Sequence, residues 1–274
     1  MKNFTNNITK KIHKIIYGTV AFSIKMRDEM IKDYVVIDLE MTGLDAKKDK
    51  ILETGAVRVR DHQVVEMFGT ICNPDVLLSE KVIELTGITQ KMAEEGQALD
   101  EAVAEFLDFC GEDIIVGQNV IFDYSFLKQW AVNHKIPFER KALDTLKLAR
   151  KFLPEGQKKN LEALCEYYNI ERENAHRAID DALATQQIFE MQQAQLEKEN
   201  PDDFIPKPLL YKTKKQTPAT GRQKKQIELF AKKQQITLET PVEKLTRSEA
   251  SRLIDQFITQ YGQAYREWAA SLKK

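Results

Sequence analysis

Cysteine is scarce in this chain: Cys72, Cys110 and Cys165 are the only three in 274 residues, and no two form a CxxC pair. That spacing argues against a disulfide framework or a zinc site and for small buried thiols in a reducing cytoplasm. Long apolar runs are also missing. No stretch reaches 18 apolar residues, so no segment is equipped to span a membrane. The run from Ile15 to Phe22 follows basic residues but leads into Ser-Ile-Lys-Met-Arg-Asp-Glu, without the small-residue cleavage site of a signal peptide. Residues 1–32 therefore read as a flexible leader, with Met26 and Met30 as alternative starts. Internal repeats and low-complexity tracts are absent from the sequence.

Excess charge of either sign is absent only on average. The net charge of −1 conceals seven Lys/Arg against three Asp/Glu in residues 1–33, 19 against 33 in residues 34–206, and 15 against six in residues 207–274. An acidic body with a basic tail suits an enzyme acting on an anionic polymer: carboxylates gather cations, and the tail attracts phosphate. The plainer reading of the tail is a solvated charged surface.

The apolar pattern is that of a folded body. Tyr34–Leu39 is a β-branched run fitting a buried strand, and residues 54–60 alternate before Asp61-His62 turns the chain into a strand at 64–72. Helical spacing follows at 79–85 and 99–110, a buried strand at 113–116, and a helix from near Asp123 to 133. A strand passing into a helix occupies 141–152, and further helices cover 160–168 and 178–198. Three early strands, then strands alternating with helices, predict an α/β protein with a mixed sheet and helices on its faces. Residues 33–199 form this domain. Prolines at 201, 206, 208 and 218 mark a linker at 200–219. Residues 220–274 read as a basic helical accessory region, with capping-box patterns at Thr220 and Thr246 and a small core of Leu229, Phe230, Leu245, Leu253, Ile254, Phe257 and Ile258.

Three short motifs carry the chemistry. In Asp38-Leu39-Glu40, residues two apart on a strand share a face, so both carboxylates can reach one cation; the plain alternative is an exposed strand end. Asp123 follows a buried strand and a Gly-Gln-Asn loop. Its plain alternative is a helix N-cap, while Asn119 just before it is suited to a substrate contact. His176 and Asp181 open the last long helix. On an ideal helix, residues five apart sit about 140° from one another, so spacing alone leaves Asp180 and Asp181 tied. Four carboxylates and one imidazole are equipment for two divalent cations, Mg²⁺ or Mn²⁺, and for deprotonating a water beside them.

The motifs stand as Asp38-Leu39-Glu40-Met41-Thr42-Gly43-Leu44, Asn119-Val120-Ile121-Phe122-Asp123-Tyr124-Ser125-Phe126-Leu127 and His176-Arg177-Ala178-Ile179-Asp180-Asp181-Ala182. Supporting stretches are Glu84–Thr89 and Asp144–Arg150. In this order and spacing, residues 34–195 resemble the DEDDh 3′–5′ exonucleases, the family that includes the proofreading epsilon subunit of bacterial replicases. The resemblance implies a ribonuclease-H-like fold and selects Asp181 over Asp180. It implies that Asp38, Glu40 and Asp181 hold one metal, that Asp38 and Asp123 hold a second, and that His176 is the general base. It further implies that Met41, Thr42, Gly43 and Leu44, with Asn119 and Phe126, meet the 3′-terminal nucleotide. Met41 replaces the usual first Thr, as in oligoribonucleases, and Gln118 stands where many members have His. Neither change removes a metal ligand.

The expected function is metal-dependent release of nucleoside 5′-monophosphates from 3′ ends, of DNA in preference to RNA. The alternatives are an exoribonuclease trimming short RNA, and a catalytically silent module that binds nucleic acid. Residues 207–274 are expected to grip a strand or to dock a DNA polymerase or helicase. The expected compartment is the cytoplasm.

Overall fold

The structure is a computed structural model describing residues 31–172, 176–213, 215–238 and 240–271; the leader expected at 1–32 falls almost wholly outside the described residues. Seven strands form one mixed sheet: β1 (Tyr34–Met41), β2 (Ile51–Arg60), β3 (Gln63–Asn73), β4 (Gln97–Ala98), β5 (Ile115–Gly117), β6 (Lys141–Asp144) and β7 (Lys207–Pro208), in the order β4-β3-β2-β1-β5-β6-β7. The first three strands are antiparallel, and β5 and β6 run parallel to β1. The hairpin between β2 and β3 turns on Asp61 and His62, both at positive φ, as a two-residue turn that follows the strand twist requires.

Alternation along β1 assigns its two faces. Val35, Ile37 and Leu39 pack with helices α3 (Leu99–Cys110) and α4 (Ile121–His134), through Val103, Phe106, Leu127 and Trp130. Between β3 and β4 lie the shorter helices α1 (Glu80–Thr86) and α2 (Gln90–Glu94). Tyr34 and Val36 face the other way, with Val57 and Val59, against Ala182 and Phe189 of a long helix at Ala178–Leu196. Helices α5 (Thr145–Phe152) and α6 (Leu161–Tyr168) precede that helix, which is α7. Helices on both faces of a mixed sheet are the architecture expected from the sequence.

The first half of the segment 200–219, expected as a linker, lies against this body. Phe204 is buried beside Phe189, β7 adds to β6 as a short edge strand, and Leu209 enters the core after its N–H donates to Arg140 O at 2.9 Å. Proline at 208 is tolerated because β7 is an edge.

Beyond it, α8 (Gly221–Gln234) and α9 (Arg247–Ser271) pack around Phe230, whose ring centroid lies 5.0 Å from Phe257, 4.6 Å from Tyr265 and 4.8 Å from Trp268. Both capping boxes form, at Thr220 with Gln223 and at Thr246 with Glu249. The expected core is corrected at Leu229, which is exposed. It sits one residue, and so about 100°, away from Phe230 around the helix. Tyr265 and Trp268 supply the missing apolar area.

Candidate active site

Asp38 and Glu40 end β1 on the face of Tyr34 and Val36, the face that α7 covers. In register, Asp38 stands opposite Gly55 and Glu40 opposite Glu53. Gly55 leaves the sheet bare where α7 begins: a Cβ there would lie 2.3 Å from the carbonyl carbon of Ala178, so any side chain would lift the helix start from the sheet. Glu53 fastens the same point. Its Oε1 accepts from Arg177 Nη2 at 2.7 Å, and its Oε2 accepts the Ala178 N–H at 3.1 Å. Arg177, at the N-cap position, makes no side-chain cap, so the strand carboxylate satisfies a donor at the helix end, where negative charge is favoured.

Asp181 is thereby held over the end of β1, buried in the first turn of α7. One ligand atom each from Glu40, His176 and Asp181 lies within 4.8 Å of the others. His176 precedes the helix at a φ of 63°, and that left-handed turn removes the 140° separation an unbroken helix would impose. Asp180 lies outside this group, and its charge acts on Arg177 instead.

Asp123 arrives from the opposite face. It is the third residue of α4 and does not cap it, contrary to the plain alternative drawn from spacing. Its Oδ1 accepts the N–H of Leu39 at 3.0 Å. The N–H of Val35 points toward β5 and donates to Ile114 O at 2.9 Å, and pairing with β5 extends only through Val36. Asp123 thus takes up a β1 donor that β5 leaves behind as it passes into α4. The carboxylates meet at the carboxyl ends of two parallel strands, where open α/β sheets hold ligands.

Crowding alters their protonation. Burial pushes Glu40 up to about 7, aided by the charges of Asp181 and Glu53 and opposed by Arg172 and Arg177. Burial pushes Asp123 up to about 8, with the Leu39 N–H opposing and Glu40 adding to the rise. Asp38 is raised well above the usual carboxylate range by burial and by repulsion from Asp123, Asp181 and Glu40. Burial also raises Asp181, against Arg172 and His176. Such a cluster takes up cations or protons to relieve its charge, and its hard oxygen donors with one imidazole fit a divalent cation.

The residues expected at the 3′ nucleotide line up after β1. Thr42 is tied to Lys50, its N–H donating to Lys50 O at 2.9 Å and its Oγ1 accepting the Lys50 N–H at 3.0 Å. Gly43 allows the Asp49 carboxylate to sit where a Cβ would be, 2.4 Å away. Leu44 projects, 84% exposed, while Met41 is half-buried against the core. Asn119 is exposed at positive φ, its N–H donating to Asp144 Oδ1 at 3.0 Å. Phe126 is buried, edge-on to Phe122 at 5.6 Å, and lines a cleft of about 580 Å³ together with Trp130, Asn133 and Gln216.

Three supporting residues escaped the sequence reading. Glu53 could have been noticed as an acid inside an otherwise buried strand, and Gly55 as a glycine in the same strand. Arg172, whose Nη2 donates to Asp181 Oδ1 at 2.5 Å, has no local pattern that marks it.

Residues 35–189 match the RNase_T family model, described as an exonuclease. The chain is 36% identical over 185 residues to the DNA polymerase III PolC-type protein of Clostridium perfringens, covering 64% of this chain but 13% of that protein. It is 38% identical over 169 residues to the DNA polymerase III subunit epsilon of Aquifex aeolicus, covering 61% of this chain and 84% of that one. Among solved structures, the zinc-bound complex of E. coli ExoI with ssDNA superposes with a TM-score of 0.55 at 21% identity, over 62% of this chain and 42% of that one. Exonuclease X in complex with 5′ overhanging duplex DNA gives 0.50 at 21% identity, over 63% and 99%. At such identity these structures show the fold, the ribonuclease-H-like sheet that the sequence led one to expect.

Proposed function

Because the chain belongs to the RNase_T exonuclease family, we propose that it is a metal-dependent 3′–5′ exonuclease, hydrolysing the terminal phosphodiester of single-stranded or frayed DNA to nucleoside 5′-monophosphates. The observation that carries this reading is the meeting of Glu40, His176 and Asp181 within 4.8 Å, with Asp38 and Asp123 at the same strand end. The choice of DNA is supported by the relatives named as DNA polymerase III proteins.

Asp38, Glu40 and Asp181 would hold one divalent cation, and Asp38 with Asp123 a second. When bound, these cations would supply Lewis-acid stabilisation of the phosphate and a more acidic water. His176 accepts the proton of the attacking water, a role suited to an imidazole. Thr42, tied to Lys50, keeps the loop after β1 rigid, so the Gly43 backbone is presented to the 3′-terminal sugar without reordering. Leu44, being exposed, offers apolar surface to the terminal base; covering a leucine side chain contributes roughly 1.5–3 kcal/mol. Asn119 and Phe126 shape the far side of that nucleotide's site.

A DNA polymerase is the partner class supported by the relative named DNA polymerase III subunit epsilon. Three free, buried cysteines accord with work in a reducing cytoplasm. Among the described residues, no helix is long and apolar enough to cross a membrane.

Digestion of matched 5′-labelled DNA and RNA strands with Mg²⁺ or Mn²⁺ tests the reading. A descending ladder, faster on DNA, is expected. Faster loss of the RNA would replace the substrate assignment with RNA trimming, and two intact strands would leave only a binding module.

A further inference from the structure

The C-terminal helices carry a second feature that the catalytic site does not use. Gly262 interrupts α9 at a φ of 49° and ψ of −118°, a conformation open to glycine alone without strain. The break lets the last part of α9 lie beside α8, where Tyr265 and Trp268 pack on Phe230 and the Tyr265 hydroxyl accepts from Gln226 Nε2 at 2.6 Å. Between the two helices runs a groove of about 820 Å³, with Ala269 and Ala270 contributing little bulk and Arg222, Lys225 and Arg266 along it.

The charge of this groove is one-sided. Among the described residues no carboxylate lines it, and Arg222, Lys225 and Arg266 have no ion-pair or hydrogen-bond partner. In the catalytic body several arginines are held by carboxylates, as Arg58 and Arg60 are by Asp113 and Arg177 is by Glu53. Arg222 also occupies the first turn of α8, which has no acidic residue, so it stands at the positive end of the helix dipole where a cation is disfavoured. Three cations without a partner among the described residues line one trough, one of them placed against local electrostatics, and together they match the regular negative charge of a phosphodiester backbone.

We propose that the α8–α9 groove is a binding site for the backbone of single-stranded nucleic acid, holding the part of the strand 5′ to the nucleotide being removed. This rests on the exonuclease reading, since a strand whose 3′ end enters the carboxylate site leaves its remainder to be gripped outside.

The test uses the full chain with Arg222→Gln, Lys225→Gln and Arg266→Gln combined. All three side chains are exposed, and an unchanged circular-dichroism melt establishes that the fold is kept. Binding of oligo(dT) of about thirty nucleotides is measured in EDTA over a range of salt. The expected result is an affinity at least about tenfold weaker, with the slope of log affinity against log salt shallower by about 2, as loss of three phosphate contacts on a single strand implies. Hydrolysis of a dinucleotide with Mn²⁺, whose single phosphodiester is taken up by the carboxylate site, should be unchanged. Equal affinity and slope in wild type and variant overturn the proposal. So does a groove that binds polyglutamate through these residues while oligo(dT) binding is unaffected, which identifies an acidic protein segment as its ligand. A wild type that binds oligo(dT) through the groove but cleaves neither substrate contradicts the catalytic reading and leaves the groove supported.

Discussion

Arg172 donates to Asp181 Oδ1 at 2.5 Å, so a guanidinium sits inside the cluster of carboxylates at the end of β1. Its Nε is buried and finds no partner among the described residues, so the group is held there mainly by charge. Arg172 and an incoming cation compete for the same carboxylate. Arg172→Gln is expected to bind Mn²⁺ more tightly, by about tenfold, since a unit charge at such range is worth about 1–4 kcal/mol in a partly solvated site. The metal-free variant should melt at lower temperature than wild type. Calorimetric Mn²⁺ titration checks this, and an unchanged or weaker affinity would show that Arg172 does not oppose the cation.

Gly55→Ala tests how the site is assembled. The added methyl would meet the Ala178 carbonyl and push the start of α7 away from Asp38 and Glu40. Overpacking of this kind costs about 1–3 kcal/mol, and the displaced Asp181 should lower the hydrolysis rate by far more than the stability loss explains. A variant with a lowered melting temperature but full activity at 25 °C would mean that this contact does not position Asp181.

The raised carboxylates give a stability profile with a definite sign. Glu40 goes from 4.5 to about 7 and Asp123 from 3.8 to about 8 on folding, so between those values the folded protein binds more protons than the unfolded chain. Their contribution is fully present at acid pH and is lost as pH rises through about 7 to 8. In EDTA, the melting temperature should fall from about pH 5 to about pH 8.5, and Mn²⁺ should raise it more at the upper end. A melting temperature in EDTA that climbs over that range would contradict the assignment.

Several of these features were open to reading before the structure and several were not. Strand β1, its hairpin partners and the long helices follow from local alternation and periodicity, which the observed elements keep. Asp38 and Glu40 were legible for the same reason, since strand alternation alone puts them on one face. Asp123 looked like a helix cap because its actual partner, the Leu39 N–H, is 84 residues away and set by where β5 stops pairing. The tie between Asp180 and Asp181 could not be broken by helix geometry, because the answer lies in a left-handed turn at His176 that has no signature in the sequence. The prolines of 200–219 signalled irregular backbone but not that Phe204 and Leu209 would be buried against the body.

His176→Ala separates two roles that its position allows, base and ligand. As the general base, its loss should slow hydrolysis by about 10²–10⁴-fold while the Mn²⁺-induced rise in melting temperature stays as in wild type. Disappearance of that rise would make His176 a cation ligand.

The most direct test of the site is release of nucleoside 5′-monophosphate from the 3′ end of one DNA strand, in one assay, by wild type, Asp180→Asn and Asp181→Asn. Asp181 is buried in the cluster with Glu40 and His176, and Asp180 is outside it. The expected result is rapid release by wild type, near-equal release by Asp180→Asn and none detectable by Asp181→Asn. Equal loss in both variants, or undiminished release by Asp181→Asn, would contradict it.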